Sequence, residues 1–136
     1  ECFDLLAAMN TGHDGSMATL HSNSPRECLA RMENMVMMGD IKIPKEAISR
    51  QIADSVDMIV QVKRLRDGSR RVTSITEVVG MEGPVIITQE LFKFEYLDEA
   101  EDGRIIGEYR SMGLRPHTFE KAKAFGFDEA LLEACL

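Results

Sequence analysis

The hydrophobic period of this chain changes sharply after Val56, and the change limits the folds open to it. From Ser24 to Val56 the apolar residues recur at helical spacing, and from Met58 to Tyr96 they run together or alternate. Cys28, Leu29, Met32, Met35 and Val36 fall at i, i+1, i+4, i+7 and i+8, which is one face of a helix. Ser24, Pro25 and Glu27 supply a cap, a first-turn proline and a capping-box glutamate for its start, and Gly39 is placed to end it. A second helix is expected from about Pro44 to Val56, with Ala47, Ile48, Ile52 and Val56 inward. "MIVQV" then reads as a strand covered on both faces. Asp67-Gly68 predicts a hairpin into a strand from about Arg70 to Val79. Gly83-Pro84 marks the turn before "VIIT" and "LFKFEY"; in the latter Phe92, Phe94 and Tyr96 alternate with Lys93 and Glu95 as in a half-buried edge strand. Asp98 to Gly103 reads as a solvated acidic loop. Pro116 to Leu136 reads as two short helices broken at Gly126, the second capped by Asp128.

Ahead of the first capped helix, Phe3, Leu6, Ala7 and Met9 already show helical spacing, Thr11 to Ser16 makes a turn, and "SMATLH" reads as a short buried strand. Strand, helix, helix, strand followed by hairpins is an α/β arrangement. A right-handed crossover would lay "SMATLH" parallel to "MIVQV", giving a mixed sheet with an antiparallel extension. The 136 residues, 44% of them hydrophobic, suffice for one core. The opening "ECFDLLAAM", which does not start with Met, reads as a cut, so a preceding portion is expected. A net charge of -7 disfavours a sequence-independent grip on nucleic acid. Cys2, Cys28 and Cys135 are odd in number and widely spaced, which fits a reducing, cytoplasmic setting better than a disulfide scaffold or zinc finger. No apolar run reaches the roughly 18 residues of a membrane helix.

The chemistry concentrates between Asn10 and Pro25, "NTGHDGSMATLHSNSP". His21 would end a parallel strand just before a helix start, where free N–H groups and the helix dipole favour an anion such as phosphate. Thr19, two residues earlier, shares its face if the segment is a strand, and Ser22, Asn23 and Ser24 add short polar groups. A five-residue strand at roughly 3.3 Å per residue separates His13 from His21 by about 15 Å or more. That is too far for one ion, so a zinc site built from His13, Asp14 and His21 is rejected and no metal ligands are assigned. On spacing alone, a histidine hydrogen-bonded within the core remains the ordinary alternative for each.

"TGHDGSMATLHSN", Thr11 to Asn23, resembles the histidine box of the secretion and pilus motor ATPases of the type II and type IV systems. "VDMIVQVKRLRDGSRRVTSITEVVGMEG", Val56 to Gly83, resembles the branch that powers tight-adherence (Flp-type) pilus assembly. The resemblance covers most of Glu1 to Tyr96. It implies that residues 1–96 are the C-terminal half of a RecA-like P-loop ATPase domain and that 97–136 form an acidic loop and C-terminal helical tail. It implies ATP and Mg2+ as cofactors, with the metal ligands mostly outside this chain. A hexameric ring is also implied, working at the cytoplasmic face of the inner membrane on platform proteins of the pilus or secretion system.

By the same resemblance His21 approaches the terminal phosphate, supported by Thr19 and Asn23, and His13 with Thr11 and Gly12 couples nucleotide state to a neighbouring element or subunit. Ser22 stands where alanine is frequent in the family. The sequence holds no G-x-x-x-x-G-K-[ST], so this chain alone is expected to be inactive. Arg64, Arg66, Arg70 and Arg71 flank the hairpin turn, either as a solvated basic hairpin or as a subunit contact. A non-catalytic assembly or oligomerisation module is the alternative; separately, a sheet cut short is expected to leave an unpaired edge through which the fragment self-associates.

Overall fold

The computed structural model of the chain describes residues 15–39 and 42–136. Helices α1 (Pro25–Met37) and α2 (Lys45–Ser55) come first. Strands β1 (Met58–Arg64), β2 (Arg70–Glu82), β3 (Val85–Glu99) and β4 (Ile105–Ser111) follow, then the short helices α3 (Phe119–Ala124) and α4 (Asp128–Cys135). The strands form one sheet in the order β1-β2-β3-β4, each joined to the next by a hairpin, so the sheet is antiparallel throughout. The expected helix at Phe3 to Met9 lies outside the described residues.

Helix α1 starts where the cap predicts. Ser24 is extended, and its hydroxyl accepts the Glu27 amide at 3.1 Å while Pro25 fills the first turn without losing a donor. Its buried face is Cys28, Leu29, Met32 and Val36, with Met35 left partly exposed. Helix α2 buries Ile48, Ser49, Ile52 and Ser55; Ala47 points out. Ser49 is tolerated inside because its hydroxyl donates to Glu33 Oε1 at 3.0 Å.

By its internal contacts the chain divides into two compact units. The described part of the first runs to Ile59 and includes Val78–Thr88; the second is Val60–Glu77 with Gln89–Leu136. The first unit is built on an apolar cluster of α1 and α2 residues with Val56, Ile59, Val78 and Ile86, against which Leu20, Ile43, Ala53 and Met81 pack. Burying each large aliphatic there contributes roughly 1.5–3 kcal/mol. The second unit buries Leu91, Ile105, Phe119 and Cys135 together with the polar Gln61, Thr76 and Glu77.

Several expectations are corrected. "SMATLH" forms no strand: Met17 is 93% exposed, and only Leu20 turns toward the apolar cluster. A strand needs a neighbour to take its backbone hydrogen bonds, and among the described residues no strand lies beside this segment, so the parallel pair is not formed. "MIVQV" is covered on one face only, with Val60 and Val62 about half exposed on the other, and β1 is an edge strand. "VIIT" and "LFKFEY" are one strand, and it is internal: β4, which alternation did not announce, pairs with it from Phe92↔Ser111 to Glu99↔Ile105, with an irregularity between Tyr96 and Asp98. Asp98 and Glu99 therefore belong to β3 and not to a loop. Asp128 is the first residue of α4; the cap position is Phe127, with no side-chain cap bond.

Two glycines are demanded by geometry. Gly68 holds φ +84 in the β1–β2 turn. At Gly107 a Cβ would meet the Phe94 ring at 2.3 Å and the Glu95 carbonyl at 2.5 Å, so Phe94 lies over bare backbone.

Candidate functional site

His21 stands three residues ahead of the Ser24 cap, exposed to solvent. The segment behind it is tied to the first turn of α1. The Ser22 side chain hydrogen-bonds Cys28. The Asn23 backbone N–H and side-chain amide donate to the two Glu27 carboxylate oxygens at 3.3 and 3.4 Å. Cys28 N–H donates to the Ser24 carbonyl at 2.9 Å. Burial pushes the Cys28 thiol up, with the Ser22 bond pulling the other way. These ties fix where His21 leaves the helix start.

They also use donors that a phosphate would want. The Glu27 carboxylate already occupies the positive end of α1, and the amides of Asn23 and Glu27 are both taken. Arg26 reaches away, donating to the Ile86 carbonyl at 2.7 Å. Thr19 is exposed like His21. The same-face argument linking the two has no strand to rest on, because residues 16–22 are irregular. Thr11, Gly12 and His13 lie outside the described residues, and so does the distance from His13 to His21. Among the described residues no three His, Cys, Asp or Glu side chains gather as a metal-ligand set. Among them, too, no helix is long and apolar enough to cross a membrane.

The four arginines of the β1–β2 hairpin are placed differently from one another. Arg66 donates to the Tyr96 hydroxyl at 3.3 Å, lies 5.8 Å from that ring's centre, and pairs with Glu99 at 3.6 Å. Arg71 sits over the Phe94 ring at 5.3 Å, its Nε buried and without a hydrogen-bond partner among the described residues, and Phe94 meets Tyr109 edge to face. Arg64 and Arg70 are exposed at the last residue of β1 and the first of β2. Between them Asp67 organises the turn: Oδ1 accepts the Ser69 amide and hydroxyl at 2.9 and 2.6 Å, and Oδ2 accepts the Ile105 N–H at 2.9 Å. The Ile105 amide above all, then the two Ser69 donors and the Arg71 charge, lower the Asp67 pKa to about 2.

One constellation escaped the sequence reading. Glu77 is 1% exposed, and among the described residues it forms no ion pair. Instead Oε1 accepts the His117 N–H at 2.7 Å and the Gln89 amide at 3.0 Å, and Oε2 accepts the Thr118 N–H at 3.0 Å. Two successive backbone amides thus cradle a carboxylate and hold the approach to α3 on the sheet. Burial of the Cys135 thiol, and after it the charge of Glu77, push that thiol up; the Cys135 carbonyl takes a hydrogen bond from the Ser111 hydroxyl. The signal was a lone carboxylate in the apolar run "SITEVV". Beyond it, α3 and α4 flank an open hollow of about 400 Å³ lined by Thr118, Lys121, Ala122, Phe125, Phe127 and Leu131.

Residues 1–99 match the family model described as type II/IV secretion system protein. A conjugal transfer protein of Mycobacterium tuberculosis is 41% identical over 85 residues, which is 62% of this chain and 24% of that protein. The conjugal transfer protein TrbB of Rhizobium radiobacter is 35% identical over 79 residues, 58% of this chain and 22% of that protein. The chain thus spans about a quarter of the length of these curated relatives. With nearly three quarters of its residues inside that match, the chain belongs to the type II/IV secretion system protein family.

Proposed function

We propose that this chain serves an ATP-driven secretion motor of the tight-adherence (Flp-type) pilus-assembly branch, as part of a RecA-like ATPase domain. In this reading His21 reports on the terminal phosphate. The observation that carries it is the harness of Ser22, Asn23 and Ser24 on the first turn of α1, which presents an exposed imidazole at a fixed point of departure. Neutral imidazole offers one donor and one acceptor, enough to hydrogen-bond a phosphoryl oxygen.

The residues fit ATP in part. His21 and Thr19 are open to a ligand, whereas Asn23 and the helix-start amides are engaged by Glu27 and Ser24. His21 therefore acts as a single polar contact, with Thr19 beside it, and Asn23 positions it. When bound, ATP supplies the phosphoanhydride whose hydrolysis drives the motor. The described residues offer Mg2+ no ligand set, and no step is assigned to it. Thr11, Gly12 and His13 carry the coupling to a neighbouring element. A hexameric ring, inner-membrane platform proteins as partners and a cytoplasmic site at that membrane belong to the same proposal.

The occupied helix start also favours a second reading, an assembly module that does not touch nucleotide. Replacing His21 with alanine in a protein that carries this segment together with a phosphate loop separates the two. The motor reading expects kcat to fall about tenfold or more, a loss of about 1.4 kcal/mol or more of transition-state stabilisation, with the melting temperature unchanged. An unaltered turnover rate leaves only the assembly module.

A further inference from the structure

The tips of the two outer hairpins carry opposite charges. Lys63, Arg64, Arg66, Arg70 and Arg71 crowd the β1–β2 turn against one carboxylate, Asp67. Asp98, Glu99, Glu101 and Asp102 crowd the β3–β4 turn against one cation, Arg104. Both turns lie at the same end of the sheet, because Asp67 accepts the Ile105 amide and Arg66 reaches Glu99. One tip therefore presents a basic half and an acidic half side by side.

Among the described residues neither half is fully neutralised. Arg66 spends its charge on Glu99 and Tyr96, Arg71 lies on Phe94, and Arg104 pairs with Asp102 at 2.7 Å. Among the described residues Arg64, Arg70 and Glu101 have no ion-pair partner. Arg64 and Arg70 bracket the Leu65 to Ser69 hydrogen bond of the hairpin, so they stand opposite each other across the ladder. Like charges directly opposite destabilise a strand pair, and this chain sets two arginines at such a pair of positions. Close by, Tyr96, Leu97 and Ile106 leave about half of their surface in water.

We propose that this tip binds a second copy of the same chain, the basic half of each facing the acidic half of the other about a twofold axis. The arrangement is isologous: Arg64 and Arg70 of one copy meet Asp98 and Glu101 of its partner, and the reverse contact follows by symmetry. Half-exposed Leu97 and Ile106 supply the apolar filling between the charged halves. Such a contact is distinct from the head-to-tail contacts that close a ring, and it needs no nucleotide. An anionic polymer is the less favoured guest, since the acidic half of the tip would repel it.

Two charge-reversed variants of the 136-residue chain test this by analytical ultracentrifugation without nucleotide. Arg64→Glu with Arg70→Glu makes the tip acidic on both halves; Asp98→Arg with Glu101→Arg makes it basic on both. Each alone is expected to dimerise about tenfold or more weakly than the wild type, while an equimolar mixture forms a heterodimer at least as tight as the wild-type dimer. The wild-type Kd should rise several-fold between about 50 and about 500 mM salt. Circular dichroism confirms folding; should a reversal fail to fold, Arg64→Ala with Arg70→Ala must still weaken the dimer. A wild-type chain that stays monomeric at millimolar concentration, a variant that dimerises as well as the wild type, or a mixture that does not pair overturns the proposal. Self-association absent alongside binding of a single-stranded oligonucleotide that the first variant loses overturns it too, assigning the arginines to nucleic acid.

Discussion

The two units of this chain hold their interiors by different chemistry. In the first, the buried side chains are nearly all aliphatic or sulfur-bearing, with Ser49 answered by Glu33. In the second, the most deeply buried groups include a carboxylate, Glu77, and fixed guanidinium–ring contacts run along the sheet from Arg66 and Arg71 to Tyr96 and Phe94. An aliphatic interior tolerates small repacking and loses stability in proportion to the atoms removed. A hydrogen-bonded carboxylate interior fails more abruptly, because each donor deprived of its acceptor keeps its full desolvation penalty.

The largest effect should come from the aliphatic side. Ile52 is fully buried among α1, α2 and the adjoining strand residues, so Ile52→Ala removes three carbons and leaves a cavity. The expected loss is about 3–4 kcal/mol in urea unfolding, with the midpoint moving and the slope nearly constant. A loss below about 1 kcal/mol would mean that the helices collapse onto the gap and that the first unit is less rigidly packed than the second.

Glu77 sharpens the comparison from the other side. Glu77→Ala strands the amides of His117 and Thr118 and the Gln89 side chain, at a cost of about 2–3 kcal/mol. Glu77→Gln costs less, about 1–2 kcal/mol, because one oxygen still accepts while the new NH2 faces a backbone donor. The damage should be local. Hydrogen exchange is expected to accelerate at His117, Thr118 and along α3, and the buried Cys135 thiol to become reactive, before α1 and α2 loosen. Uniform acceleration across both units would erase the distinction between them.

The same contrast explains what could be read from sequence. Helices α1 and α2 were legible because capping is local and an amphipathic period reports burial; Ser24, Pro25 and Glu27 behave as their spacing says. The Asp67-Gly68 hairpin was legible for the same reason. Strand β4 was not, since "IIGEYRS" alternates poorly, and its Gly107 is there to admit the Phe94 ring, a contact with a residue thirteen positions away. Glu77 was hidden likewise: its partners lie 12, 40 and 41 residues distant, and no local pattern encodes them. At the candidate site, the position of His21 before a helix start was readable. The capture of Asn23 by Glu27 was not, because the same glutamate spacing serves the cap as well as its neighbour. "SMATLH" misled by composition, since apolar character says nothing about whether a pairing strand is at hand.

The smallest expected effect is at the surface of the second unit and is a matter of pH. Asp67 has its pKa lowered from 3.8 to about 2 by the Ile105 amide and the two Ser69 donors. A carboxyl that ionises more readily folded than unfolded stabilises the fold wherever it is charged in both states. The contribution of Asp67 is therefore complete above about pH 5, declines as the pH falls past 3.8, and is gone below about 2. Asp67→Asn should accordingly be less stable than the wild type at neutral pH by an amount that shrinks on acidification, until the two unfolding midpoints meet near pH 2. The carboxyl resonance of Asp67 should titrate near 2 in the folded chain. If the two midpoints instead run parallel down to that pH, the tie between the β1–β2 turn and Ile105 contributes through shape alone. The second unit would then depend on its buried carboxylate and not on its exposed one.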